Sequence, residues 1–331
     1  MSEDSQYLQT APMSSAPAIV LAIRQQISRV ILGQDEVIDQ VIAALLAGGH
    51  VLLEGKPGLG KTALVSALAR TFGGESGRIQ FTPDLMPSDV TGFRLFDMQS
   101  QTFQLRKGPV FTNLLLADEI NRAPAKTQAS LLEVMQEQQV TIDGETLHLS
   151  PPFMTLATQN PVEHEGTYPL PEAQLDRFLM KVIIEYPDQP SECEIVTRAA
   201  AERPGSASPV DVVCTPQDVV DAQFMTAAVQ AVPEVVAYAV ALARATREAR
   251  AIALGAGTRG AIALVRVAKA CAAMQGRNFV IPDDIKSIAL PVLRHRVQLT
   301  PEVAISGQEV DEVLKGIVES VPAPRGATVN G

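Results

Sequence analysis

No apolar run in this 331-residue chain approaches the ~18 residues that a membrane span requires; the longest, such as Ala237 to Ala243, are soon broken by charge. No transmembrane helix is therefore expected. The start, Met1-Ser2-Glu3-Asp4, lacks the positive region and long apolar core of a signal peptide, so the expected residence is cytoplasmic. Cysteine is scarce: Cys193, Cys214 and Cys271 are far apart and odd in number, which predicts inert thiols rather than a disulfide framework or a zinc site. An excess of positive charge is missing too. A formal charge of −10 disfavours sequence-independent binding to phosphate backbones, which makes nucleic acid the weaker partner class, although a local basic pore is compatible with an acidic assembly. What is present is a globular composition, 46% hydrophobic and 19% charged, in a chain long enough for one large or two moderate domains.

The most informative stretch is Gly55-Lys56-Pro57-Gly58-Leu59-Gly60-Lys61-Thr62. It follows the apolar run His50 to Glu54, which reads as a buried strand, and precedes Ala63 to Arg70, rich in helix formers. Polyphosphate needs several backbone N–H groups turned inward at a helix N-terminus, and glycines such as Gly55, Gly58 and Gly60 let the main chain come that close. Lys61 then reaches the β- and γ-phosphates, Thr62 places its hydroxyl on Mg²⁺, and Pro57 and Ala63 complete the cradle. This predicts nucleoside triphosphate binding. Upstream, Ile31-Leu32-Gly33-Gln34 interrupts two helices just before the strand, placed either to wall an adenine ring or to pack as a helix–helix turn.

Further along, Leu114 to Ala117, the end of an apolar strand read over Val110 to Ala117, runs into Asp118-Glu119, carboxylates at a strand's C-terminal end, where α/β sheets place their ligands. Asp118 would hold Mg²⁺ through water; Glu119 would orient and deprotonate the attacking water. Two hairpins are expected. One has two arms on which Phe93 and Leu95, then Phe103 and Leu105, alternate with polar residues, with a turn at Asp97 to Gln101; an irregular packed loop is the alternative. The other turns at Asp143-Gly144 and sets Val140 opposite Leu147. The strand Phe153 to Thr158 then ends in Gln159-Asn160-Pro161; Asn160 could hydrogen-bond both γ-phosphate and water, or simply begin a turn before proline.

Together with the glycine loop, Leu115 to Pro124, Ala157 to Pro161 and Pro171-Glu172-Ala173-Gln174-Leu175-Asp176-Arg177-Phe178 resemble the MoxR branch of the AAA+ ATPases, over Ile19 to Val321. The resemblance implies an α/β P-loop core, with a parallel five-stranded sheet flanked by helices and two hairpin inserts, followed by a small all-α lid. It implies that Lys61 and Thr62 are Walker A, Asp118 and Glu119 Walker B, Asn160 sensor 1, and Arg177 an arginine finger acting on the neighbouring subunit. The cofactors implied are ATP and Mg²⁺. The implied assembly is a homo-oligomer, a hexameric ring by family habit, working on a protein partner with a von Willebrand factor A domain. The motor of a metal chelatase, an ATP-binding scaffold with little turnover, and a small-molecule kinase are the alternative readings. On chemistry alone, Arg177 could merely pair with Asp176 at the surface, and Arg122 could reach across an interface or cap the helix before it.

The expected organisation is a mobile tail over residues 1–16, the ATPase core over 17–203, a Pro/Gly/Ser/Ala linker over 204–215, a helical lid over 216–321 and a flexible tail over 322–331. In the lid, Gly257-Thr258-Arg259-Gly260 opens a helix, and an arginine in a first turn is unfavourable against the helix dipole, so an anion is expected nearby. Family members carry Ser-Pro-Arg there, with the arginine as sensor 2; this chain keeps Arg259 and replaces Ser-Pro by Gly-Thr. Arg266 and Lys269 read as a solvated stripe, and Arg294-His295-Arg296 as an exposed basic triplet, with contact to a neighbouring subunit as its alternative.

Overall fold

The computed structural model describes residues 16–56, 58–159, 168–201 and 209–324. Two helices come first, α1 (Ala16–Ile27) and α2 (Asp35–Leu46), followed by strand β1 (Val51–Gly55), α3 (Lys61–Thr71) and β2 (Ser76–Gln80). A short helix, α4 (Pro87–Thr91), leads into the hairpin β3 (Gly92–Asp97) and β4 (Thr102–Lys107), then β5 (Leu114–Asp118) and α5 (Ala125–Glu137). The second hairpin is β6 (Gln139–Ile142) and β7 (Glu145–His148); β8 (Met154–Thr158), α6 (Glu172–Leu175), β9 (Met180–Ile184) and α7 (Gln189–Ala201) complete the core.

Five strands form one parallel sheet in the order β2-β5-β8-β1-β9. Strands β1, β5 and β8 lie between neighbours and are buried along most of their length, as strands covered on both faces must be. From β1 the chain crosses to the far edge, and from β8 it passes over β1 to β9. The crevice that this reversal opens at the C-terminal strand ends is where doubly wound sheets bind ligands.

Both hairpins form: the second has the expected register, with Val140 opposite Leu147, whereas in the first Phe93 faces Arg106, Leu95 faces Gln104 and Phe96 faces Phe103. In the first, Phe93, Leu95, Phe96, Met98 and Phe103 remain exposed. In the second, Val140, Ile142 and Leu149 are buried. The β5 strand starts at Leu114, four residues later than expected from the apolar run at Val110. Polar bonds claim the intervening residues: Thr112 Oγ1 donates to Glu75 O, and the Asn113 amide donates to Ser150 O and Pro152 O.

The lid comprises α8 (Pro216–Ala228), α9 (Pro233–Glu248), α10 (Thr258–Met274), α11 (Pro282–Leu293), α12 (Pro301–Ile305) and α13 (Val310–Ser320), with a ribbon of β10 (Ile252–Leu254) and β11 (Gln298–Leu299). Helix α8 starts where its sequence directs, with Thr215 and Asp218 capping each other's backbone and Pro216 in the first turn. The described part of the preceding segment is held on the core, where Val213 N–H donates to Thr71 O and Arg70 donates to Val210 O.

One expectation about basic residues is corrected. Arg294, His295 and Arg296 are not an exposed triplet. Arg296 is buried and donates to Phe178 O at 2.6 Å, Leu179 O at 3.2 Å and, through Nε, to Asp176 Oδ1 at 2.7 Å. His295 Nε2 lies 3.0 Å from Phe178 O, and Arg294 pairs with Asp311 at 2.9 Å. Arg294 Nη1 also donates to Lys181 O at 3.4 Å, so all three side chains reach the residues at the start of β9, contacts spanning more than a hundred residues that no local pattern announces. Arg266 is exposed and Lys269 half-buried, in keeping with a solvated stripe, and each also caps a helix end: Arg266 donates to Ala47 O at 2.6 Å beyond the end of α2, and Lys269 to Ala227 O at 2.9 Å in the last turn of α8. Cations at helix C-termini satisfy orphan carbonyls there.

Candidate active site

The glycine loop joins β1 to α3 with Gly58 at φ +84° and Gly60 at φ +76°, left-handed conformations that glycine adopts freely. A Cβ on Gly58 would meet nothing within 4 Å, so the loop is open on that side. At Gly55, a Cβ would lie 2.6 Å from Ile184 O, so glycine permits the close approach of β1 to β9. No side chain caps the N-terminus of α3. Its first N–H groups are thus available to an anion. Lys61 Nζ donates to Gly55 O at 2.5 Å, folded back over the loop; burial lowers its ammonium from the ordinary value, against the pull of Asp118, Glu119 and Glu54. Thr62 and Ala63 are exposed at the helix start. Pro57 and Asn160 lie outside the described residues.

Ile31 is buried and its Cδ1 lies 3.7 Å from where a Gly60 Cβ would sit, so the upstream turn does reach the loop. Gly33, at φ +68°, leaves no room for a side chain against Pro187 and Ser191; Gln34 Nε2 donates to Glu185 O at 2.6 Å.

Beside this loop, β8 and β5 bring a second group of side chains. Thr158, 2% exposed, is the pivot. Its Oγ1 donates to Asp118 Oδ1 at 2.8 Å and accepts from Glu119 N–H at 2.8 Å. The other Asp118 oxygen accepts from Arg78 at 2.7 Å. Glu119 stands at φ +55°, ψ +47°, uncommon for a side chain of its size, and its carboxylate pairs with Arg122 at 3.0 Å. Sequence reasoning missed Thr158 and Arg78, although both flank positions it had singled out. Thr158 sat in the Ala157-to-Pro161 block and Arg78 on the strand bordering β5. The Asp118 carboxylate and Thr62 hydroxyl are hard oxygen donors at the mouth of an anion-binding loop, a set that fits Mg²⁺ carried by a nucleotide.

The remaining arginines lie elsewhere. Arg177 and Arg259 line one cavity of about 370 Å³ with Gly48, Gly49, His50, Gln136, Arg266 and Arg296. Gly48 to His50 lead into β1 at its N-terminal end, whereas Lys61 follows the other end. The strand length, about 16 Å at 3.3 Å per residue, separates the two groups. Arg177 does not pair with its neighbour Asp176; its Nη1 donates to Leu132 O at 2.8 Å. Asp176 instead serves Arg296 and, at 3.8 Å, Arg259.

A glycine loop ahead of a helix, a carboxylate pair on an inner strand and a helical lid on a β2-β5-β8-β1-β9 sheet define a P-loop ATPase of the AAA+ class. Residues 50–180 match the model for the ATPase family associated with various cellular activities (AAA), and residues 244–317 match the AAA lid domain. The chain is 44% identical to YeaC of Bacillus subtilis, covering 91% of this chain and 93% of that one, and 40% identical to chaperone MoxR1 of Mycobacterium tuberculosis, covering 91% and 81%. Protein MoxR of Methylorubrum extorquens is 31% identical over 91% of this chain and 94% of its own. A crystal structure of a candidate ATPase from Cytophaga hutchinsonii superposes with a TM-score of 0.87 at 41% identity, covering 94% of this chain and 96% of that one. The chain belongs to the MoxR family of AAA+ ATPases, and its reaction is the hydrolysis of ATP to ADP and phosphate.

Proposed function

We propose that this ATPase works as a ring, hexameric by family habit, whose active sites are shared between adjacent subunits and whose turnover remodels a protein partner. The observation that carries this reading is the placement of Arg177 and Arg259 in one cavity at the opposite end of β1 from Lys61. Neither can serve its own chain's loop without a large rearrangement, and both are free to face the loop of a neighbour. A head-to-tail interface that sets one end of the sheet against the other closes into a ring when its rotation divides a full turn.

Within each subunit, Gly58, Gly60, Lys61 and the start of α3 would bind the phosphates, and Gly33, Gln34 and Ile31 would border the base. Thr62 and Asp118 would hold Mg²⁺, which offsets phosphate charge when bound. Glu119 would take the proton of the attacking water, held in place by Thr158. Asn160 fits the sensor position at the end of β8. Arg177 and Arg259 would stabilise charge on the neighbour's transferring phosphoryl group, a contribution of roughly 10³–10⁵ in rate for arginine fingers.

The exposed apolar face of the first hairpin, with Phe93, Leu95 and Met98, gives a remodelling ATPase a surface for protein. A von Willebrand factor A domain protein is the partner we propose, with a chaperone-like role in the cytoplasm. No helix among the described residues is long and apolar enough to cross a membrane.

ATP turnover per protomer, measured against protein concentration, tests the shared site. It should rise with concentration; Glu119→Gln and Arg177→Ala should each be inactive, and their mixture should regain activity, because each variant lacks a different half of the site. A concentration-independent rate with an unaffected Arg177→Ala would refute the proposal.

A further inference from the structure

Among the described residues, Asp176 is the only carboxylate lining the cavity that holds Arg177, Arg259, Arg266 and Arg296. Its two oxygens do different things. Oδ1 accepts from Arg296 Nε at 2.7 Å, and the Asp176 carbonyl accepts from the same guanidinium at 3.4 Å. The Arg296 side chain, 3% exposed, is otherwise spent on the carbonyls of Val292, Phe178 and Leu179, so its charge is neutralised by Asp176. Oδ2 faces Arg259 Nη1 at 3.8 Å, and the Arg259 side chain is 59% exposed. Arg259 sits in the first turn of α10, where the helix dipole repels a cation and no side chain supplies a cap. A carboxylate is what holds it there against that field. Asp176 also immediately precedes Arg177 in the chain.

We propose that Asp176 is a positioning residue that aims Arg259 at the phosphates of the adjacent subunit and ties it, through Arg296, to the segment carrying Arg177. The inference rests on the shared-site reading above and deepens it. The Arg296 contact is buried and permanent. The Arg259 contact is long and exposed, so it costs little to exchange for a phosphate. When a neighbour's nucleotide draws Arg259 away, Arg296 keeps its grip on Asp176, and the lid and the Arg177 segment respond as one body. Asp176 touches no substrate; its effect passes through Arg259.

Asp176→Asn retains an oxygen for Arg296 and replaces the anionic oxygen facing Arg259 by a neutral group. Steady-state turnover should fall roughly 3- to 30-fold in kcat. The KM for ATP should be unchanged, since the variant's own glycine loop is intact. Mixed with Glu119→Gln, whose Asp176 is intact, it should regain turnover. In an Arg259→Ala background it should cause no further loss. The thermal midpoint falls in either case, because Arg296 loses its counterion; a purely structural defect would in addition resist complementation and multiply with Arg259→Ala. Three results overturn the inference: wild-type kcat in Asp176→Asn, failure of its mixture while the Arg177→Ala and Glu119→Gln mixture recovers, or losses that multiply. Failure of both mixtures removes the shared-site reading itself. If Asp176→Asn does not fold, Asp176→Glu carries the same tests, because it keeps a counterion for Arg296 while shifting the charge relative to Arg259.

Discussion

Replacing Thr158 by valine changes the shape of the β8 tip very little and removes one oxygen. That oxygen donates to Asp118 and accepts from the Glu119 N–H, at 2.8 Å each, inside a side chain only 2% exposed. The bond to an ionised carboxylate is worth about 1.5–3 kcal/mol and the neutral one about 1 kcal/mol, so Thr158→Val should destabilise the protein by about 3 kcal/mol. The effect on chemistry should be larger than that stability loss suggests. Glu119 is held at φ +55°, which for a non-glycine residue costs about 1–2 kcal/mol, and its N–H bond to Thr158 is one of the contacts that oppose relaxation. Once released, the carboxylate should move by something like 1 Å, a displacement that costs roughly 10²-fold in rate. Turnover at saturating ATP, urea denaturation and nucleotide binding should be measured together. The expected pattern is a kcat near one-hundredth of wild type, an unchanged affinity for ATP, and near-complete rescue by Thr158→Ser. Wild-type kcat in the valine variant would show that Glu119 needs no such support.

Three other substitutions test separate parts of the structure. Lys61→Ala should abolish nucleotide binding, read by fluorescence titration with a labelled ATP; retained tight binding would remove the glycine loop from the site. Arg296→Met should destabilise the protein by about 3–5 kcal/mol, because it strands Asp176 and three buried carbonyls; a melting curve checks it, and an unchanged midpoint would mean the lid does not depend on this rivet. His50 is buried between Met135 O and the Thr155 N–H, and burial pushes its pKa down to about 4 from 6.5. It stays neutral in the fold while the unfolded chain takes up a proton, so its contribution is complete above pH 6.5 and is lost by pH 4, about 3 kcal/mol in all. His295 is lowered in the same direction by burial and Arg296. Denaturation midpoints at pH 7 and pH 5 should therefore converge in His50→Gln relative to wild type without becoming equal.

The parts of this molecule that were legible in the sequence are those with short-range causes. Asp143-Gly144 between alternating arms fixed the Val140 to Leu147 register, because two-residue turns leave the pairing no freedom. The glycine loop was visible because backbone requirements restrict which residues it tolerates. Arg294 to Arg296 looked like a surface triplet for the opposite reason. The carboxylate and carbonyls that bury Arg296 lie 117 to 120 residues upstream, and a run of three basic residues carries no mark of such partners. Thr158 was hidden by chemistry rather than distance: a threonine ending an apolar strand reads as a strand former until the neighbouring strand places a carboxylate beside it.

Net charge says nothing about local concentration of charge. At −10 overall, the chain still gathers four guanidinium groups around a single carboxylate in one cavity among the described residues. Backbone carbonyls make this concentration possible. Arg177 rests on Leu132 O, Arg266 on Ala47 O, and Arg296 on the residues leading into β9. Carbonyl dipoles satisfy N–H donors without adding negative charge, so the side chains are ordered while the positive excess remains. Burial lowers Arg266 and Arg296 from their ordinary values, the sign of a cost that an anion would relieve. In the proposed ring, the relief comes from a neighbour's triphosphate. Binding nucleotide at one loop and joining two subunits then become the same electrostatic event, and the acidic remainder of each surface discourages contacts that do not bring a phosphate to this cavity.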